Sequence, residues 1–386
     1  MNQWLTAALW MGLALAASVV SIRLAISVAL VEILFGVIGG NFLGLRVTPW
    51  VDFLAGFGSV LLTFLAGAEI EPETLRRHWR PVLSIGFISF LFPFLGAMAF
   101  AYYVLHWSLD AAKIAGIALS TTSVAVVYAV MLETGLNKED VGRFILAACF
   151  VTDLGTVLAL GIAFAHYDVW LAVFVLVTVG ILVAAPRLAH RFFTTFSGHV
   201  SEPETKLIFL LLFFLGGLAV KANSEAVLTA YLLGLVVASV LAQHQRMVVH
   251  MRATVFTLLT PFYFLKAGSY ISLRALWAGL GLIALFFLVK VAVKITGVYP
   301  LTRSFGQSSR TAWYTTMMMS TGLTFGTISA LFGLTRGYIN QTQYTVLVIT
   351  VILTAIIPTL IGQAYFRPHI KMVAAEAEAA PVASEV

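Results

Sequence analysis

Long apolar runs separated by short polar gaps dominate this chain. Thirteen windows are apolar and long enough, at about 20 residues, to cross the hydrocarbon core of a bilayer as an α-helix. The windows are 4–21, 25–44, 50–70, 80–105, 110–133, 140–165, 169–189, 204–222, 226–242, 251–273, 276–301, 311–334 and 343–366. A membrane β-barrel would instead show alternating segments of about ten residues. The pattern therefore predicts an all-α polytopic membrane protein with about 13 transmembrane helices.

The composition excludes an ordinary soluble protein. Of the 386 residues, 60% are hydrophobic and 10% are charged, and the mean hydropathy is +0.98. Soluble domains carry about 25% charged residues. The formal net charge of +6 does not indicate a nucleic-acid partner, because the basic residues lie mostly in short gaps between apolar windows. The expected partner is the lipid bilayer, and residues 1–20, which lack a basic N-terminal region, are interpreted as a membrane helix rather than a signal peptide.

The basic residues in the gaps predict the orientation of the chain. Fifteen lysines and arginines fall on one side of the predicted membrane, and five fall on the other, namely Arg46, Lys113, Lys221, Arg274 and Arg336. Cytoplasmic loops carry the excess of Lys and Arg. This places the N-terminus outside and the C-terminus in the cytoplasm, with residues 367–386 as a frayed cytoplasmic tail.

Five ionisable residues fall inside apolar windows: Glu32, Asp153, Lys266, Lys290 and Lys294. Placing Asp or Lys at the centre of a membrane helix costs about 2.5–3.5 kcal/mol, and such residues usually face the protein interior and mark an ion or proton path. Asp153 is the strongest candidate because it lies near the middle of window 140–165.

The other four residues leave alternatives open. Lys290 and Lys294 are four residues apart and share a helix face, and sequence position alone does not decide which of them serves the site. Lys266 either extends to the interface along its aliphatic stem or contributes to the site. Glu32 is interpreted as a buried, hydrogen-bonded structural carboxyl group.

Two windows carry polar interruptions at their centres. The hydroxyl residues in these interruptions are Ser120, Thr121, Thr122 and Ser123 in the first, and Ser320, Thr321 and Thr324 in the second. Small residues can permit close helix packing, but interrupted helices also expose backbone carbonyl and N–H groups at the midplane of transporters. Their corresponding places in the two halves therefore indicate a transport site lined by two interrupted helices.

Four further segments carry a family pattern: Val31 to Gly40, Phe64 to Ile70 with a Phe-x-x-Gly-x-Glu spacing, Ala226 to Gly234, and Pro261 to Gly268. In order and spacing they resemble the bacterial cation:proton antiporter-2 family, which includes sodium/proton antiporters and Kef-type potassium/proton efflux proteins. The resemblance covers about residues 25–366.

The resemblance implies an architecture and a location. It implies a homodimer, with dimerisation helices at approximately 1–75 and 169–273. The core ion-transport helices would lie at approximately 80–165 and 276–366, in an inverted-repeat antiporter fold whose two crossed, broken helices would be 110–133 and 311–334. It also implies a bacterial inner-membrane protein that transports Na⁺ (or K⁺ or Li⁺) and H⁺ without a cofactor.

The resemblance also implies site residues. The family's ion-binding helix carries a residue pair whose second member, an Asp, binds the cation or proton. That pair is Thr152 and Asp153 here, which makes Asp153 the candidate Na⁺ ligand and Thr152 its neighbour. The family's core lysine precedes a glycine by three residues, which fits Lys294 and Gly297 and favours Lys294 over Lys290 as charge partner. Thr152 stands where the family usually has an acid or an amide, and the family's Arg/Glu motif is absent from the second interruption.

These features predict a secondary antiporter rather than an enzyme. One carboxylate holds either a proton or a cation, and that competition couples the two fluxes. A single acid predicts one proton per Na⁺ and electroneutral exchange, unless Lys294 also releases a proton. K⁺/H⁺ exchange is the nearest alternative, followed by a sodium-coupled organic-anion symporter. An intramembrane enzyme is disfavoured because the sequence contains no His-Glu-x-x-His and no Gly-x-Ser-x-Gly motif.

Overall fold

The computed structural model describes residues 3–24, 28–68, 79–134, 136, 139–164, 169–196, 198–199, 201–222 and 226–368. The helices of the first half are α1 Gln3–Leu24, α2 Val28–Phe42, α3 Pro49–Ala68, α4 Trp79–Ala99, α5 Leu109–Ser120, α6 Val124–Thr134, α7 Asp140–Ala163 and α8 Val169–Phe196. Those of the second half are α9 Pro203–Lys221, α10 Ala226–Leu241, α11 Gln245–Thr254, α12 Thr260–Ser269, α13 Leu273–Ala278, α14 Leu280–Ser304, α15 Ser309–Met319, α16 Thr324–Thr335 and α17 Gln341–Tyr365. A π-helical turn extends α4, and another joins α11 to α12.

The predicted fold class is confirmed. In the described ranges, ten helical segments are long and apolar enough to cross a membrane, and α2 and α10 are shorter apolar helices. The broken pair α5 and α6 occupies the remaining window, 110–133. Two boundaries differ from the sequence windows: the tenth span begins at Gln245, and the short α13 separates it from a helix that begins at Leu280. Glu69 and most of the predicted tail lie outside the described residues.

The helices pack in two groups. We name α1 to α3 and α8 to α12 the scaffold group, in which α2 packs on α12, and α3 packs on α10 and α12. We name α4 to α7 and α14 to α17 the core group, in which α4 packs on α5, α7 and α14. The groups meet where Tyr231 donates to the carbonyl of Phe150 (3.0 Å) and Tyr344 donates to that of Ala267 (2.6 Å).

Glycines set the close approach of helices in the scaffold group. A Cβ on Gly67 would overlap the backbone of Tyr231, and a Cβ on Gly234 would overlap the backbone of Phe64. These four residues belong to the segments that carry the family pattern. Two of those segments, 64–70 and 226–234, therefore contain the residues through which α3 packs against α10.

The broken helices of the two halves begin in the same way. Ser108 precedes α5 and accepts a hydrogen bond from the backbone N–H of Ala111, and Ser308 precedes α15 and accepts one from that of Thr311. A serine at this position satisfies a helix N–H group that has no partner within the helix. The shared cap is consistent with two related structural repeats.

Candidate functional site

The two interruptions cross and contact each other. The hydroxyl of Thr122 donates to the carbonyl of Met319 (3.0 Å), and the backbone N–H of Ser123 donates to Oγ1 of Thr321 (3.3 Å). Each interruption thus satisfies polar groups that the other leaves without a helical partner. The predicted pair of crossed, broken helices is confirmed.

The predicted lining residues lie inside the protein. The side chains that are at most 1% exposed are Ser120, Thr121, Thr122, Ser123, Ser320 and Thr321. Thr324, the first residue of α16, is half-buried. These hydroxyl groups therefore belong to a polar interior at the crossing and not to a face in contact with lipid.

Asp153 lies in the middle of α7 and is 1% exposed. Its Oδ1 atom is buried and has no hydrogen-bond partner. Thr156 lies about one turn further along the helix, and its Oγ1 is 3.3 Å from Oγ of Ser120, which connects this part of α7 to the first interruption. A buried polar atom without a partner needs an explanation, and an ionised carboxylate is an acceptor for cations, protons and N–H or O–H donors.

Thr152 has a different environment from its neighbour Asp153. Its hydroxyl lies 3.1 Å from both the carbonyl of Gly86 and that of Ala148, and these two acceptors share its single proton. The side chain therefore connects α7 to α4. Its role as an ion ligand stays a prediction.

Lys294 is fully buried on α14, and its ammonium has three acceptors. It donates to Oγ of Ser89 (2.7 Å), the carbonyl of Ser120 (3.2 Å) and Oγ1 of Thr122 (3.2 Å). Ser120 ends α5, so the ammonium lies at a helix C-terminus, where free carbonyls and the helix dipole favour a cation. It forms no ion pair with Asp153 within 4.0 Å. The predicted role of Lys294 as charge partner stays a prediction.

Lys290 is also fully buried, one turn before Lys294 on the same face. Its Nζ donates to Oγ1 of Thr354 on α17 (3.1 Å). Neither lysine extends to the membrane interface. Both lie inside the core group, and each contacts one of the helices near the crossing.

The other two ionisable residues belong to the scaffold group. Lys266 is 7% exposed and pairs with Asp52 (2.5 Å), whose side chain is 61% exposed. Glu32 is 1% exposed, and its Oε2 has no hydrogen-bond partner. The interpretation of Glu32 as a buried carboxyl agrees with this position, but the hydrogen bonding expected for Oε2 is absent.

Two polar residues of the site were not among the sequence candidates. Ser89 binds the Lys294 ammonium, and Thr354 binds Lys290. An isolated serine or threonine in an apolar helix gives no signal in the sequence. Thr156, which contacts Ser120, is different, because it lies three residues after Asp153 and the sequence alone already placed its hydroxyl near that carboxylate.

The site offers oxygen ligands for a monovalent cation in the form of the Asp153 carboxylate and the nearby hydroxyl and carbonyl groups. Hard cations prefer such oxygen ligands. Among the described residues, no cluster of three or more His, Cys, Asp or Glu side chains could hold a metal ion. A transported cation would be a substrate and not a resident cofactor.

Comparisons with known proteins agree with this architecture. The profile of the family described as "Sodium/hydrogen exchanger, transmembrane" matches residues 10–367. The chain is 25% identical over 347 residues to a probable Na⁺/H⁺ antiporter 3 of Methanocaldococcus jannaschii, covering 86% of this chain and 88% of that protein. It is 26% identical over 355 residues to the Na⁺/H⁺ antiporter NhaS4 of Synechocystis, covering 85% of each.

A solved structure has the same fold. The sodium proton antiporter MjNhaP1 of Methanocaldococcus jannaschii at pH 8 matches with a TM-score of 0.72 and 16% identity, over 92% of this chain and 96% of that one. The family profile covers nearly all of the transmembrane part, and the family is one of transporters rather than enzymes. The chain is therefore a multi-pass membrane protein that belongs to the sodium/hydrogen exchanger family.

Proposed function

We propose that this protein is a secondary antiporter that exchanges Na⁺ for H⁺ by alternating access, with Asp153 as the group that both ions share. The named relatives support the ion pair Na⁺ and H⁺. The observation that carries the assignment to Asp153 is its buried Oδ1, which has no hydrogen-bond partner beside two crossed helix interruptions.

The coupling follows from charge. One carboxylate has one negative charge, which either a proton or a sodium ion neutralises. Holding both in a water-poor interior would leave an uncompensated positive charge, which is costly where the dielectric constant is low. Each therefore displaces the other, and neither flux proceeds alone.

The cation would exchange its water for protein oxygens. Asp153 supplies the carboxylate, and Ser120 and Thr156 supply hydroxyl groups at the first interruption. Lys294 lies next to the same interruption, and its ammonium group donates a hydrogen bond to the carbonyl of Ser120. We infer that the ammonium limits how many oxygens remain for the transported ion.

Alternating access requires one body to move against another. The core group, which contains both interruptions, is the moving part in this proposal, and the scaffold group forms the homodimer. The N-terminus lies outside and the C-terminus in the cytoplasm, as the distribution of Lys and Arg favours. The four segments with the family pattern favour the cation:proton antiporter-2 branch and an inner-membrane location.

Proton flux in liposomes tests the proposal. Purified protein is reconstituted, and a pH-sensitive dye reports the proton flux that follows addition of Na⁺, Li⁺ or K⁺. Wild-type protein should respond to Na⁺, and Asp153→Asn, which keeps the size of the side chain but removes its charge, should reduce the flux to that of empty liposomes.

Asp110→Asn is the matched control, because Asp110 lies on α5 with a half-exposed side chain that pairs with Lys113. This variant should keep the wild-type flux. Unchanged flux in Asp153→Asn would remove Asp153 from the mechanism. A response to K⁺ alone would replace Na⁺/H⁺ exchange by K⁺/H⁺ exchange.

A further inference from the structure

One side chain of the scaffold group contacts two elements of the ion site. Tyr231 on α10 is buried, and its hydroxyl donates to the carbonyl of Phe150 on α7 (3.0 Å). Phe150 precedes Asp153 by three residues, which is less than one helical turn. The ring of Tyr231 meets that of Phe325 edge-on, and Phe325 is the second residue of α16, directly after the second interruption. Tyr231 therefore joins the scaffold group both to the helix of Asp153 and to a broken helix.

The bond from Tyr231 lies where the apolar packing between the groups changes. In the described residues, the largest buried apolar cluster contains residues of both groups, such as Ile33 and Tyr231 of the scaffold group and Val157 of the core group. Two further clusters lie closer to the helix ends that the Lys and Arg distribution places in the cytoplasm. One belongs to the scaffold group and the other to the core group. The groups thus share apolar contacts toward the outside and have separate ones toward the cytoplasm.

Three further hydrogen bonds lie at the covalent connection between the groups. The chain passes from α12 of the scaffold group through α13 into α14 of the core group. The three bonds join this stretch to the start of α17, and their donors and acceptors are Tyr344 and Ala267, Ser272 and Thr345, and Gln341 and Tyr270. The two groups stay connected here when one moves against the other. The Tyr231 bond lies away from this connection, so movement of α7 relative to α10 would break it.

Breaking this bond need not leave a buried polar group unsatisfied. A carbonyl oxygen has two lone pairs, and that of Phe150 lies within the continuous helix α7, where it also accepts the helical N–H bond. The Tyr231 hydroxyl would bond to water once the outer half of the interface opened. A net hydrogen bond of this kind changes an equilibrium constant about fivefold. The bond is therefore strong enough to bias two states and weak enough to break in a transport cycle.

We propose that the Tyr231 hydroxyl is a latch between α10 and α7, which holds the state closed toward the outside and breaks in each turnover; this rests on the alternating access of the proposed function. Tyr231 is a positioning residue in this scheme, because it acts through α7 and not on the ions. The apparent affinity for a ligand falls with the fraction of protein in the competent state. The latch therefore favours binding of Na⁺ from the cytoplasm over binding from the outside.

Tyr231→Phe tests the latch, because it removes the hydroxyl and keeps the ring. Proton flux is measured against Na⁺ concentration in membrane vesicles of both orientations, prepared from cells that lack other sodium/proton antiporters. The half-saturating Na⁺ concentration on the outer side, divided by that on the cytoplasmic side, should fall about fivefold in the variant. A merely structural loss would lower the flux in both orientations and leave this ratio unchanged.

Tyr299→Phe is the matched control. It removes the same atom, but the Tyr299 hydroxyl lies 3.1 Å from Oγ of Ser309 within the core group. This variant should keep the wild-type ratio of half-saturating Na⁺ concentrations. A decrease as large as that in Tyr231→Phe would contradict a latch between the groups.

A disulfide across the same interface tests whether it opens. A Cβ on Gly161 of α7 would lie 3.8 Å from the Cβ of Leu228 on α10, and a disulfide spans about 3.5–4.5 Å between Cβ atoms. Cys149 is the single cysteine of the chain, so Gly161→Cys and Leu228→Cys are combined with Cys149→Ser. Oxidation should reduce the sodium-driven proton flux to that of empty liposomes, and a reductant should restore it. Cys149→Ser alone should keep its flux after the same oxidation.

The outcomes separate the latch from the proposed function. An unchanged ratio in Tyr231→Phe, or loss of its flux in both orientations, would give the hydroxyl a structural role and overturn the latch. Full flux in the completely cross-linked protein would overturn it as well. Each of these results leaves exchange at Asp153 intact. Full flux in Asp153→Asn would instead overturn the proposed function itself.

Discussion

Gly268 in the scaffold group and Gly297 in the core group are packed against different kinds of neighbour. In the scaffold group, a Cβ on Gly268 would overlap the backbone of Ile33, so α2 and α12 touch along their main chains. In the core group, a Cβ on Gly297 would lie 2.7 Å from a ring carbon of Phe92 and 2.9 Å from a methyl group of Ile88, both side-chain atoms. Backbone cannot move aside without moving a helix, whereas a side chain can change rotamer. At these two positions, an added methyl group would therefore displace a helix in the scaffold group but only side chains in the core group.

The two groups also differ in what they bury. The core group buries an acid, two lysines and two runs of hydroxyl residues at the helix crossing. The buried charges of the scaffold group in the described residues are at separate places: Lys266 is paired to Asp52, Glu32 lies on α2 and Glu204 lies on α9. Polar contacts between broken helices can be exchanged for others at small net cost, because each net hydrogen bond is worth only about 1 kcal/mol. The buried polar groups of the core group are concentrated at the helix crossing, whereas those of the scaffold group are scattered.

The largest expected effect compares one glycine from each group. Gly268→Ala should lower the free energy of unfolding by about 3 kcal/mol, because the added methyl group forces two backbones apart. Gly297→Ala should change it by less than about 1 kcal/mol, since side chains can yield and alanine is the better helix former. Unfolding in detergent mixed with increasing SDS measures both. Gly217→Ala, where a Cβ would meet no atom within 4 Å, is the control. Equal losses at Gly268 and Gly297 would contradict the proposed difference between backbone and side-chain contacts at these two positions.

A smaller effect separates the two lysines of the core group. Lys294→Met should be less stable than Lys290→Met by about 1–2 kcal/mol, because it leaves the buried carbonyl of Ser120 without its donor. Lys290→Met leaves only the hydroxyl of Thr354, which already donates to the carbonyl of Val351. The same SDS titration gives the difference. If Lys290→Met proved the less stable of the two, the unequal compensation argued from hydrogen bonds would be wrong.

The smallest effect concerns one hydroxyl at the crossing. Thr122→Val should cost about 1 kcal/mol, since the Thr122 hydroxyl donates to Met319 and accepts from Lys294. Thr296→Val is the matched control, because the exposed Thr296 hydroxyl bonds only to the carbonyl of Val293 in its own helix. We expect the control to stay within about 0.5 kcal/mol of wild type. A loss in the control as large as that in Thr122→Val would show that the crossing contact adds nothing.

Much of the architecture could be predicted because its cause is local. A bilayer requires about 20 apolar residues per span, so the thirteen windows follow from hydropathy. Hydroxyl and glycine residues in mid-membrane marked both interruptions, and the cost of burying Asp153 marked it as a candidate. The segments with the family pattern were also visible, but their part in packing α3 on α10 was not, since it depends on which backbones meet.

The sequence by itself determined that this chain crosses a membrane many times, where its helices break, and that Asp153, Lys290 and Lys294 fall inside apolar windows, where burying a charge is costly. Only the tertiary structure decided what each buried charge contacts. It placed Lys294 on the first interruption, Lys290 against Gly322 and Thr354, and Lys266 beside Asp52. The physical reason is sequence separation. Hydropathy and helix propensity depend on residues within one segment, whereas the partner of a buried charge depends on contacts between helices that are far apart in the chain.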